Sequence, residues 1–135
     1  MRIVVIGGVA GGMSAATRLR RLNESAEIIV LEKSGHVSYA NCGLPYYVGG
    51  VIENEKDLLL QTPASLHARF RLDVRVNTEV LAINPAKKVV AIKNLVNGET
   101  SELDYDKLIL SPGASPVVPP IPGIERGMTL RTVED

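Results

Sequence analysis

Ile3-Val4-Val5-Ile6-Gly7-Gly8-Val9-Ala10-Gly11-Gly12 decides the fold. The first four residues are all β-branched and apolar, the pattern of a short strand buried on both faces of a parallel sheet. A glycine cluster stops that run. From Gly11 to Leu22 the period becomes helical, with Ala15, Leu19 and Leu22 at i, i+4 and i+7 forming an apolar stripe. Glu27–Leu31 is a second strand of the buried type, ending at Glu32. Strand, glycine turn, helix and strand within about 30 residues make a βαβ unit, which requires a right-handed crossover in a parallel sheet. The expected fold class is therefore α/β, a parallel sheet with helices on its faces.

The glycine turn also has chemical consequences. Glycines between a strand and a helix let backbone N–H groups approach a pyrophosphate, and the helix N-terminus adds partial positive charge. In the G-x-G-x-x-G pattern Gly7 and Gly12 hold the first and third places, and Val9 stands where the second glycine is usual. Glu32 follows Gly12 by about 20 residues, the spacing of the acidic side chain that accepts hydrogen bonds from ribose hydroxyls. Tight helix–strand packing alone would also use these glycines. The strand, loop, helix and acid together favour dinucleotide binding through Gly7, Gly8, Val9, Ala10, Gly11, Gly12 and Glu32.

Beyond Glu32 the pattern changes. His36–Gly50 is rich in turn formers and aromatics and reads as irregular with one helical turn. Thr62-Pro63 opens a helix, with Thr62 as N-cap and proline at the first helical position. Period-two runs at Asp73–Val76, Glu79–Asn84 and Lys88–Lys93, separated by turn signals such as Asn84-Pro85, with Asn97-Gly98 marking a further turn, predict an antiparallel meander over about 73–105. Leu108–Leu110 reads as a last buried strand entering Ser111-Pro112-Gly113. The expected organisation is a nucleotide-binding unit over 1–115, with the meander inserted, and a proline-rich connector over 116–135.

Composition narrows the function classes. Fifteen basic residues balance fifteen acidic ones in 135 residues, which argues against a general nucleic-acid or membrane-surface binder. No apolar run reaches the roughly 18 residues of a membrane span, and the glycines and Arg18, Arg20 and Arg21 break the N-terminal apolar stretch as a signal peptide. A cytoplasmic location is the expectation. His36 and His67 have no partners at metal-ligand spacing, so no metal site is expected. The single cysteine excludes an internal disulfide. Cys42 is either a small buried hydrophobe or a reactive thiol, and Ser38, Asn41, Gly43 and Pro45 around it suit an irregular segment beside a binding site.

Three stretches then become recognisable together: Gly7-Gly-Val-Ala-Gly-Gly12, Val37-Ser-Tyr-Ala-Asn-Cys-Gly-Leu-Pro-Tyr46 and Leu108-Ile-Leu-Ser-Pro-Gly-Ala-Ser115. With them the chain resembles the single-cysteine branch of the pyridine nucleotide-disulfide oxidoreductases over essentially its whole length. It is most similar to coenzyme A disulfide reductases, including rhodanese-fused forms acting on persulfides; NADH oxidases and peroxidases are similar but more distant. Valine at the second glycine place is shared with the coenzyme A branch.

The resemblance implies a Rossmann-like FAD-binding portion of a longer, homodimeric enzyme. NADH or NADPH would be the reductant, bound by a domain not included in this stretch. Gly7–Gly12 would cradle the FAD pyrophosphate, Glu32 would hold the adenosine ribose with Lys33 beside it, and Val80 would meet the adenine. Ser111, Pro112 and Gly113 would pass near the flavin phosphates. Cys42 would be the redox-active nucleophile, with Asn41 and Ser38 by the substrate thiol and Asn41 also counted among the cofactor-binding residues. Reducing equivalents would pass from the nicotinamide through FAD and Cys42 to coenzyme A disulfide or a related disulfide or persulfide, so that the resolving sulfur comes from the substrate. The alternatives are an oxidase or peroxidase cycling Cys42 through a sulfenic acid, or a nucleotide-binding fragment without turnover of its own.

Ser14, Arg18 and Arg21 share one face of the first helix. That face is either an ordinary solvated one or, by the resemblance, part of the coenzyme A site, where guanidinium forks suit phosphates. Arg18 stands where the resemblance expects an amide side chain. Phe70 stands where a lysine phosphate ligand can occur, and Arg69 or Arg71 beside it could substitute. Tyr39 occupies a place often filled by phenylalanine.

Overall fold

The computed structural model describes all 135 residues. The run Ile3–Ile6 lies in β1 (Arg2–Ile6), followed by α1 (Ala10–Leu22) and β2 (Glu27–Leu31). A single 3-10 turn at Asn41–Gly43 leads into α2 (Leu44–Val48), and α3 spans Pro63–Phe70. Then come β3 (Asp73–Arg75), β4 (Thr78–Asn84), β5 (Val89–Asn94), β6 (Thr100–Asp104) and β7 (Lys107–Leu110).

Four strands form a parallel sheet in the order β3-β2-β1-β7, with Val4 opposite Ile29 on one side and Leu108 on the other. Side chains on successive residues point to opposite faces, so each strand feeds two cores. Ile3, Val5, Ile28 and Val30 pack with Met13 and Ala16 of α1 and Leu66 of α3 on the helical face. Val4, Ile29 and Leu31 pack against Val90, Ile92 and Leu103 of a second, antiparallel sheet in the order β4-β5-β6. The layers are helices, parallel sheet, meander.

Asp73–Arg75 is a correction to the sequence reading. It pairs in parallel with β2, Val74 opposite Val30, and so belongs to the main sheet; the meander consists of β4, β5 and β6. A three-residue strand is too short for its side-chain pattern to distinguish a parallel edge from an antiparallel one. The apolar stripe of α1 is also rotated from the expected one. Gly12, Met13, Ala16 and Arg20 are buried, Leu19 packs only partly, and Leu22 is 66% exposed. Nor is β7 a fully buried strand: it forms the sheet's edge, and Leu110 is 59% exposed.

The expected helix at Thr62-Pro63 has its cap in place. The Thr62 side chain accepts from the Ser65 N–H at 3.1 Å, and the Ser65 hydroxyl accepts from the Thr62 N–H at 2.9 Å, a reciprocal capping box. Residues 116–135 contain no strand, and their end folds back: Arg131 Nε donates to the Ala114 carbonyl at 3.0 Å, and Glu134 accepts from the Gly35 N–H at 3.1 Å. No helix is long and apolar enough to cross a membrane.

Candidate functional site

The loops that leave the carboxyl ends of β1, β2 and β7 converge, the place where open α/β sheets bind ligands. Gly7 turns the chain away from β1 at φ +97°, and a Cβ there would lie 2.0 Å from the Ser111 carbonyl oxygen. No L side chain fits that conformation or that space. Gly12 lies against the same loop; a Cβ on it would be 1.8 Å from the Gly7 carbonyl oxygen. The result is a flat backbone cradle at the N-terminus of α1. That helix has Val9 at its N-cap position, no side-chain cap and no acidic residue in its first turn, so its first N–H groups are left for an anion.

Glu32 organises the other wall. Its Oε2 accepts from the Gly8 N–H at 2.7 Å and its Oε1 from the Ser34 N–H at 2.8 Å. Each carboxylate oxygen keeps lone-pair capacity for a hydroxyl donor. Lys33, beside it, pairs with Glu79 at 2.8 Å.

Three cavities run along this edge. The first, about 210 Å³, is lined by Gly7, Val9, Ala10, Gly11, Glu32, Ser111, Pro112 and Gly113, with Tyr39 and Asn41. The second, about 180 Å³, continues from it through Gly7, Glu32 and Pro112, and is walled by Lys33, Thr78 and Val80. The third, about 480 Å³, contains Cys42, Ser14, Ser38 and Asn41, and shares Val9, Ala10, Tyr39 and Asn41 with the first. The cradle glycines, Glu32, Val80 and the Cys42 segment thus lie along one continuous edge. Gly8 and Gly12 shape this edge from beneath rather than lining the first cavity.

The Cys42 segment is pinned on both sides. The Ser38 N–H donates to the Gly8 carbonyl at 2.8 Å, the Ala40 N–H donates to the Leu58 carbonyl at 2.8 Å, and Tyr39 bridges to Leu59. Ser38 takes a left-handed conformation, φ +49°, which a non-glycine residue holds only when its surroundings enforce it. Gly43 permits the close approach of Leu58, whose Cδ2 would lie 2.7 Å from a Cβ at that position. Between these fixed points Cys42 is a free, exposed thiol in the 3-10 turn. Exposure removes the alternative of a buried apolar cysteine.

Arg18 and Arg21 are exposed on α1 and line none of the three cavities. Ser14, on the same face, does line the third. Of the two arginines flanking Phe70, Arg69 lines the Cys42 cavity, whereas Arg71 caps α3 in the left-handed region and donates to the Glu24 carbonyl at 3.2 Å. His67 Nδ1 lies 3.2 Å from the Leu72 carbonyl oxygen, a local contact at the end of α3.

Two features of the site carry no signal in the sequence. Arg20 is only 8% exposed. Its guanidinium donates to the carbonyls of Phe70 at 2.8 Å, Arg71 at 3.1 Å, Glu24 at 2.8 Å and Ala26 at 2.7 Å, tying the C-terminal ends of α1 and α3 together. Burial lowers its pKa, and the carbonyls compensate in place of a carboxylate. Arg131 and Thr132 close the first cavity from the far end of the chain, and no local pattern marks them in the sequence. Tyr39 is buried between the first and third cavities, and burial, with the nearby charges of Glu134 and Glu32, raises its phenol above the ordinary value.

Comparison with known proteins agrees with this geometry. The chain is 46% identical over 114 residues to the coenzyme A disulfide reductase of Staphylococcus aureus (strain JH9), covering 84% of this chain and 26% of that protein. The crystal structure of reduced Bacillus anthracis CoADR-RHD superposes with a TM-score of 0.93 at 55% identity, over 98% of this chain and 24% of that one. A NAD-dependent persulfide reductase from A. fulgidus gives 0.87 at 42% identity, over 93% and 23% respectively. The chain therefore spans about a quarter of the length of these relatives. The family model for pyridine nucleotide-disulphide oxidoreductases matches residues 1–135, and the chain belongs to that family.

Proposed function

We propose that this chain is the FAD-binding portion of an oxidoreductase that carries reducing equivalents from NADH or NADPH through FAD and Cys42 to coenzyme A disulfide or a related disulfide or persulfide. FAD and NAD(P)H are the cofactors of the family. The observation that carries the reading is the continuity of the first and third cavities: a free thiol opens beside a glycine cradle, with Val9, Ala10, Tyr39 and Asn41 common to both.

The residues present fit FAD. A backbone cradle that any Cβ at Gly7 would fill suits a pyrophosphate, and the uncapped α1 N-terminus supplies donors for it. Glu32, already oriented by two N–H groups, would accept from the adenosine ribose with Lys33 alongside, and Val80 would border the adenine. Ser111, Pro112 and Gly113 would face the flavin-side phosphate, with Arg131 as a cation. When bound, the flavin supplies the electron pair for sulfur.

Cys42 performs the sulfur chemistry. Its thiolate attacks one sulfur of the substrate disulfide, forming a Cys42–S–S–R bond while the second sulfur leaves as a thiolate with the bonding electrons. A two-electron reduction of that mixed disulfide restores the Cys42 thiolate and frees the second thiol. Asn41 and Ser38, lining the same cavity, supply polar contacts to the leaving sulfur. Cys42 is the one cysteine in this stretch, so none of residues 1–135 supplies a resolving thiol, and the proposed cycle takes that sulfur from the substrate. A homodimeric, cytoplasmic full-length enzyme belongs to the same proposal on the family resemblance.

The test is a substrate panel on the full-length flavoprotein with NADH and NADPH: coenzyme A disulfide, a persulfide, peroxide and oxygen. Turnover of a disulfide or persulfide well above the other two is the expected result. Preference for peroxide or oxygen would replace this reading with a Cys42 sulfenate cycle.

A further inference from the structure

Tyr39 is only 7% exposed and lines both the first and the third cavity. Its backbone is fixed by the bridge to Leu59, and that of Ser38 before it by the bond to the Gly8 carbonyl. The phenol oxygen makes no hydrogen bond within the chain. No side-chain polar atom is both sealed from solvent and unpartnered, so this oxygen opens on a cavity. The charges around it decide which one. Glu134, Glu32, Arg131 and Asp135 all act on the phenol; Glu32 and Arg131 line the first cavity, and Arg69 of the third is not among them.

None of the three carboxylates accepts the phenol O–H, because each is engaged by backbone. Glu32 accepts from the Gly8 and Ser34 N–H groups, Glu134 from that of Gly35, and Asp135 from those of Arg131 at 2.6 Å and Thr132 at 2.8 Å. A buried phenol ordinarily finds a partner; here the chain supplies none and leaves one neutral donor on the wall that faces the glycine cradle. We infer that the Tyr39 hydroxyl donates to a phosphate oxygen of the dinucleotide held on that cradle, so that the segment carrying Cys42 also contributes to holding the cofactor. This deepens the proposed function and rests on the first cavity taking FAD. An O–H to a phosphate oxygen is a charge-assisted bond, and Tyr39 takes no part in the bond changes at sulfur.

Two measurements on the full-length protein test it. Tyr39→Phe removes the hydroxyl and keeps the ring. Because the hydroxyl has no partner within the chain, thermal unfolding of the apoprotein is expected to be unchanged. Titration of the apoprotein with FAD, followed by flavin fluorescence, is expected to show binding about tenfold weaker, the size of one hydrogen bond to a charged group. Tyr46→Phe, at a 59% exposed ring that lines neither cavity, is the control and is expected to change neither quantity. Undiminished FAD affinity in Tyr39→Phe overturns the inference. A destabilised apoprotein makes the hydroxyl structural and overturns it too.

The second measurement reads the phosphates themselves. Phosphorus-31 NMR of the flavin-loaded proteins is expected to show a pyrophosphate resonance displaced in Tyr39→Phe and none displaced in Tyr46→Phe. Weaker FAD binding with the resonances unmoved puts the hydroxyl on another part of the cofactor, such as a ribose, and overturns the phosphate contact. The inference and the reading beneath it fail separately. A flavin-loaded protein in which Tyr39→Phe changes nothing loses this inference alone, whereas a full-length protein that binds no FAD overturns the proposed function with it.

Discussion

A Cβ on Gly12 would lie 1.8 Å from the carbonyl oxygen of Gly7. The first turn of α1 therefore rests directly on the loop that leaves β1, and the cradle for a pyrophosphate is made of backbone pressed against backbone. Gly12→Ala must push the helix off the loop, at a cost of about 3 kcal/mol or more. Gly11 is the control, since a Cβ there would meet Ser111 Oγ at an ordinary 3.6 Å. Thermal unfolding should show a large loss for Gly12→Ala and a small one for Gly11→Ala, with flavin content of the full-length protein following the same order.

Glu32 holds two N–H donors at once, those of Gly8 and Ser34. In Glu32→Gln one of the two oxygens becomes an NH₂ group and turns a donor toward a donor. The expected outcome is flavin binding weaker by about tenfold or more, read by titrating the apoprotein and following flavin fluorescence. Binding equal to the unsubstituted protein would remove Glu32 from the cofactor site.

Replacing Arg20 is a test of stability. Arg20→Ala leaves the carbonyls of Phe70, Arg71, Glu24 and Ala26 without their donor and opens space at the junction of α1 and α3. Denaturant unfolding should register a loss of about 3 kcal/mol or more, with Arg20→Lys intermediate because an ammonium cannot reach every acceptor.

Tyr39 gives a pH signature. Its phenol is raised above the ordinary value in the folded state, first by burial and then by Glu134 and Glu32. A raised folded value means that the stabilisation is fully present below the unfolded tyrosine pKa of about 10 and is lost as pH rises through the folded value. Ultraviolet titration of phenolate should therefore show a late-ionising tyrosine that Tyr39→Phe removes.

Much of this was readable in the chain, for physical reasons. β1 and β2 are apolar at every central position because both of their faces are covered, and the glycine turn between β1 and α1 has no other residue type that fits it. Asn84-Pro85 and Asn97-Gly98 mark the two turns of the meander, but Thr100–Asp104 carries a single buried residue, Leu103, and offers no apolar run to read. The buried face of α1 is hidden in the sequence because a charged residue, Arg20, replaces an apolar one in the buried row, satisfied by carbonyls that lie up to about 50 positions away along the chain. Arg131 and Thr132 reach the cradle only through the folding-back of the last residues, a tertiary event without a local pattern. Arg69 and Arg71 separate only with the end of α3, since one lines the Cys42 cavity and the other caps the helix.

Cys42 is the proposed reacting thiol beside the cradle. The direct measurement is nicotinamide-driven disulfide reduction by full-length Cys42→Ser, alongside its flavin absorbance. The variant is expected to keep its flavin, because no cradle contact involves the Cys42 thiol, and to lose disulfide reduction. A variant that retains flavin and reduces disulfides at the rate of the unsubstituted protein would contradict that role.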